Sequence, residues 1–249
     1  MKALPTLCLL VLALAPLRAE TAADLFREGN EALRAGAYGV AASRYRSQLE
    51  MEGPSAAAYY NLGWALYHLR DWGGCRLAWE RAAWLDPYHP DIRLNLSLLA
   101  SEAGLETTAP FWMDSFTPVG SVNLWVWTAG SAWMVFALVW AGLAAWRWRH
   151  PDRPMPWKRG LAVLICLGAI AVPATVVTVL RLSDRDRVVV TSADARLLLS
   201  PFATAEPIGG VPAGAAGRVT DQKDAFQKIL LEDGRSGWID STQVVRVVP

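Results

Sequence analysis

The chain has 249 residues, 53% of them hydrophobic and 13 of them Trp, and its 24 Lys and Arg nearly balance 23 Asp and Glu for a net charge of +1. No basic, aromatic-interleaved surface of the kind nucleic acid requires emerges from that balance, so nucleic acid is not an expected partner. Cys8, Cys75 and Cys166 lie in three separate regions, which excludes a disulfide framework, and the apolar runs divide the chain into pieces too small for a large enzyme core.

Residues 1–19 open with Met1-Lys2, continue through the apolar run Ala3 to Leu17 and end at Arg18-Ala19, the pattern of a secretory signal peptide. Cleaved or retained as an anchor, it exports the segment behind it.

Residues 20–106 repeat. Leu25-x-x-Glu28-Gly29-x-x-Ala32 returns as Tyr59-x-x-Leu62-Gly63-x-x-Leu66 at an offset of 34 residues, and the same offset carries Tyr38 onto Trp72, Ala41 onto Cys75, Tyr45 onto Trp79 and Gly53 onto Pro87. That is the tetratricopeptide period, here two repeats and a capping helix from Ile92 to Leu105. Gly29 and Gly63 should let paired helices approach, Ala41 and Cys75 fill the gap opposite, Tyr45 and Trp79 pack between units, and Pro87 stop the second helix. Cys75 thus reads as a packed small residue, not a nucleophile.

With the first helix of each pair on the concave face, Phe26, Asn30 and Leu33 from one unit and Tyr60, Trp64 and Tyr67 from the next line a groove suited to an apolar or aromatic-bearing peptide. Asn30 and Asn61 match the asparagines of tetratricopeptide domains that grip a C-terminal carboxylate. Phe26, Asp91 and Asn95, however, stand where basic residues would be, so no carboxylate clamp is expected. Tyr60 and Trp64 either meet a partner or pack against the membrane, the cap helix or the second module.

A linker, 107–122, holds Pro110 and Pro118. Two apolar spans come next, 123–146 and 160–182, uncharged from Leu124 to Trp146 and from Gly160 to Leu180, each about the ~20 residues that a ~30 Å hydrocarbon core needs. Between them, 147–159 carries five Lys/Arg against one Asp, and short basic loops of this kind stay cytoplasmic. Trp125, Trp127, Trp146, Trp148 and Trp157 cluster at the span ends, as indoles do in the headgroup layer. Pro173 should kink the second span. No acidic residue or Lys marks an ion path in either span, which disfavours transport.

From 188 to 249 short β-type runs alternate with Gly and Pro, and Asp233-Gly234 reads as a hairpin turn. The ending Leu231 to Ile239, with Asp233, Gly234, Gly237 and Trp238, resembles a bacterial SH3 domain. In that resemblance Trp238 fills the barrel core or its rim, and the barrel binds cell-wall peptide, binds protein or supports a neighbour.

The predicted fold class is therefore multidomain: an α-helical tetratricopeptide solenoid, a two-helix transmembrane hairpin and a small all-β SH3-like barrel. This order resembles the tetratricopeptide (BatE) family of the bacterial aerotolerance cluster. The resemblance implies a membrane-anchored, non-enzymatic adaptor in the bacterial inner membrane, with both soluble modules periplasmic, working beside von Willebrand A-type membrane proteins and a MoxR-type ATPase. The alternative is a peptidoglycan sensor acting through the barrel. No cofactor or metal is expected, because His68, His89 and His150 form no ligand-spaced cluster and neither a phosphate loop nor a nucleophile elbow occurs.

Overall fold

The computed structural model describes residues 21–87, 89–105, 122–152 and 157–248. Five helices come first: α1 (Ala22–Arg34), α2 (Tyr38–Glu52), α3 (Ala56–His68), α4 (Trp72–Leu85) and α5 (Pro90–Ala103). Their ends are written locally. Thr21 and Asp24 form a reciprocal capping box on α1, Ser55 and Asp71 cap α3 and α4, and Pro90 opens α5 at a position where an N–H would lack a helical partner anyway. Gly53 and Gly104 end α2 and α5 with φ of +94° and +63°, conformations in which a Cβ is strained. The helices stack as α1–α2, α3–α4 and then α5, around a core of Ala41, Tyr45, Leu62, Cys75, Trp79, Ile92 and Leu99.

Two long helices come after them, α6 (Val122–Arg149) and α7 (Trp157–Ser183), packed on each other. At 28 and 27 residues they measure about 40 Å, longer than a ~30 Å hydrocarbon core. Only 11% and 17% of their most apolar windows are buried, whereas a core helix of a soluble protein would be mostly covered. Both are long and apolar enough to cross a bilayer. They also outrun the predicted spans, because Arg147 and Arg149 can carry their charge outward on long stems and nothing breaks α6 before His150-Pro151. The indole N–H of Trp133 donates to Thr175 Oγ1 at 2.9 Å across the pair, and Thr175 in turn donates to the Ala171 carbonyl at 2.7 Å, one turn back around Pro173.

A single 3₁₀ turn, Asp184–Asp186, separates α7 from an antiparallel sheet of β1 (Arg187–Val190), β2 (Arg196–Leu198), β3 (Pro207–Gly210), β4 (Ala216–Lys223), β5 (Phe226–Leu231), β6 (Ser236–Asp240) and β7 (Val244–Arg246). The order is β3-β2-β6-β5-β4-β1-β7, so the first strand pairs with the last. Val188, Val190, Leu197, Ile229, Leu231 and Ile239 alternate inward to form its core. Trp238 does not join them. Gly237 and Ile239 take the inward positions of β6, and Trp238 stands half-buried on the outer face opposite Leu198 and Lys228.

Candidate functional site

Two regions gather the chemistry of this chain, and α4 contributes to both. One stripe of α4, Cys75, Ala78, Trp79 and Ala82, belongs to the helical core. The other, Gly73, Arg76, Leu77, Glu80 and Arg81, recurs at steps of three and four and faces the sheet.

At the centre of that second stripe lies a closed ring of four charges. Arg76 Nε donates to Glu80 Oε1 at 2.9 Å and Arg76 Nη2 to Glu232 Oε2 at 2.7 Å. Arg187 Nε donates to Glu80 Oε2 at 2.6 Å, while Arg187 Nη2 reaches Glu80 Oε1 at 2.8 Å and Glu232 Oε1 at 2.7 Å. Each guanidinium touches both carboxylates, so the net charge is zero, and Arg76 Nη1 finds a further acceptor in the Gly214 carbonyl. The Glu80 side chain is only 6% exposed. Burial alone would raise its carboxyl, but Arg187 and Arg76 overcome that and hold it down at about 2. Burial likewise opposes charge on Arg187, and Glu80 more than restores it, moving that guanidinium above its usual value.

Close backbone contact surrounds the ring. A Cβ on Gly73 would lie 2.7 Å from Thr191 Cα, so at this position only glycine admits the sheet backbone. Leu77 packs on Val189, Ala216 and Val247, and Arg81 donates to the carbonyls of Val247 and Arg246 at 3.2 and 3.1 Å. Half of this signal is local, a Glu four residues after an Arg on one helix. Its partners Arg187 and Glu232 lie more than a hundred residues further on, beyond the reach of any local pattern.

The second region gathers the residues expected to line a groove. Phe26, Leu33, Tyr60, Trp64 and Tyr67 are half-buried and rest on the helical core. Trp64 meets Trp79 and Tyr67 edge-on, and Tyr60 lies beside His89. Asn30 Oδ1 accepts from the Tyr45 hydroxyl at 2.8 Å and from Asn61 Nδ2 at 2.9 Å, which ties α1, α2 and α3 together beneath the aromatic wall. Leu94 and Leu98 of α5, 65% and 37% exposed, are the 34-residue equivalents of Tyr60 and Trp64.

Of the residues assigned to helix packing, Ala41, Cys75, Tyr45 and Trp79 are all fully buried. Tyr45 and Trp79 each pack on the preceding helix of their own pair, and Tyr45 also joins Asn61 of the next pair through Asn30. A Cβ on Gly29 would lie 2.7 Å from the Tyr45 ring, one on Gly63 would overlap the Trp79 indole, and Trp79 Nε1 donates to the Tyr60 carbonyl at 3.1 Å. Pro87 lies in the turn after α4. Burial, helped by Asp71, pushes the Cys75 thiol far above its usual range, and burial takes the Tyr45 phenol up to about 12 against an opposing Asn61 amide.

In the sheet, Gly234 turns with φ of +85°, Asp233 accepts from Arg235 at 2.7 Å, and Gly237 leaves room for the Leu198 carbonyl. Among the described residues no group of three or more His, Cys, Asp or Glu is placed to hold a metal ion. No family model, curated protein or solved structure matches this chain.

Proposed function

We propose that this protein is a membrane-anchored, non-enzymatic adaptor: a tetratricopeptide solenoid clamped to an SH3-like barrel on the outer face of the bacterial inner membrane, offering its concave groove to a protein partner. The observation that carries this reading is the buried charge ring. Glu80 precedes both spans and Arg187 comes after them, so their 2.6 Å contact supports a chain that returns to the side it left. Two crossings fit that return, and the five Lys/Arg of residues 147–159 favour the cytoplasm for the turn. The barrel then acts as a bracket for the solenoid, one of the roles its SH3-like resemblance allows.

Single cysteines at Leu98, Ser241 and Asp152, in a chain with Cys8, Cys75 and Cys166 replaced by Ser, test the arrangement with a membrane-impermeant maleimide on intact cells. Labelling of positions 98 and 241 from outside, and of 152 only after permeabilisation, is the expected result. Opposite protection of 98 and 241 would end the reading.

A further inference from the structure

We infer that the turn between α4 and α5, led by Trp84 and Leu85, lies in the phospholipid headgroup layer beside the end of α7; this rests on the adaptor reading above. The direction of α4 argues it. Along that helix Gly73 meets Thr191, Arg76 reaches the Gly214 carbonyl and Glu80 takes Arg187. Gly214 N–H donates to the Val190 carbonyl, so the same contacts read backwards along β1, from Thr191 to Arg187. The helix therefore heads for the end of β1 at which the chain arrives from α7. The 3₁₀ turn between the two also touches β4, the neighbour of β1, so the chain enters alongside that strand pair.

The opposite end agrees. A Cβ on Gly214 would meet both Leu105, just past α5, and the Trp72 carbonyl at the start of α4. With the end of α5 held there, its beginning and the α4–α5 turn stand at the Arg187 end.

The heights match as well. From Glu80 to Leu85 α4 advances about 7 Å, and the 3₁₀ turn behind Arg187 covers about 6 Å, which brings Leu85 level with Ser183. Ser183 stands about 6 Å above Val179, where the apolar span closes. The headgroup layer of one leaflet is about 5–7 Å deep. Leu85 is 40% exposed and Trp84 half-buried, and an indole prefers that layer to oil or water. Asp86 and Asp91 offset Arg81 and Arg93, so zwitterionic lipid suffices. Leu69, exposed in the α3–α4 turn, stands roughly 20 Å further out, the length of α4.

The test places a fluorophore on a single cysteine at Leu85 or at Leu69, in the full chain with Cys8, Cys75 and Cys166 replaced by Ser. The chain sits in phosphatidylcholine nanodiscs that contain a lipid with a nitroxide on its headgroup. Quenching severalfold stronger at 85 than at 69 is expected, and the difference should vanish in Gly73→Ala, which undocks α4 from the sheet. Both leucines are exposed, so their labelled variants keep the fold. Equal quenching at the two positions would overturn this inference and leave the adaptor reading standing, and so would a difference that survives Gly73→Ala. A chain that stays in solution without lipid or detergent would remove both.

Discussion

Arg187 grips Glu80 with two N–H groups, Nε at 2.6 Å and Nη2 at 2.8 Å, although 107 positions and two apolar helices separate them in the chain. Desolvating two such charges is costly, and their attraction offsets that cost only while Arg76 and Glu232 complete the ring. Glu80→Gln leaves two guanidinium groups facing one carboxylate. The expected loss is about 3–5 kcal/mol of docking stability. Thermal unfolding in detergent, read with protease sensitivity at the junction, measures it. Replacing all four residues with apolar side chains of similar volume should cost far less.

The same ring sets a pH window. Glu80 has its carboxyl lowered from 4.5 to about 2, so its contribution is whole above 4.5 and is lost as pH falls through that interval. The stake is on the order of 3 kcal/mol. Protease protection of the junction should therefore be flat from neutrality down to about pH 5 and collapse below it. A loss already complete at neutral pH would contradict the ring as drawn.

Gly73→Ala tests docking without touching a charge. Its Cβ would press on Thr191 backbone, which cannot yield as a flexible side chain can. Separation of the helical part from the sheet is expected, with the helical core intact. Interspin distances between labels at Ser97 and Ser241 report it directly.

Inside the helical part, glycines divide by surroundings. Gly63→Ala places a methyl in the Trp79 indole and should cost about 1–3 kcal/mol or more through overpacking. Gly39→Ala, with no atom within 4 Å of the added carbon, should stabilise α2 by roughly 0.5–1 kcal/mol. Circular dichroism melts of the full chain separate the two signs.

Between the spans, Thr175→Val removes the acceptor of the Trp133 indole. Hydrogen bonds of this kind average ~0.6 kcal/mol in membranes, so a small loss is expected in a denaturant titration of the detergent-solubilised chain.

Much of the architecture was legible because it is local. A 34-residue recurrence of Gly, small and aromatic residues marked the helix pairs, charge-free runs marked the two apolar helices, and Gly/Pro punctuation marked the strands. Leu94 and Leu98 follow the same recurrence, one period beyond Tyr60 and Trp64, and are exposed on α5. Trp238 obeyed the pleat: with Gly237 and Ile239 directed inward, the residue between them had to turn out. The ring was illegible for a deeper reason. An Arg and a Glu one turn apart on a helix look like any solvated pair, and only folding brings the second Arg and second Glu to complete them.

That α4 and β1 hold each other from opposite ends of the helical hairpin has a practical consequence. A chain nicked near Asp152 would keep its fragments together, bound by the paired apolar helices and by the four charges of the ring. Two separately expressed halves should reconstitute the whole, whereas a message ending before Arg187 would yield a product with Arg76 and Glu80 laid bare.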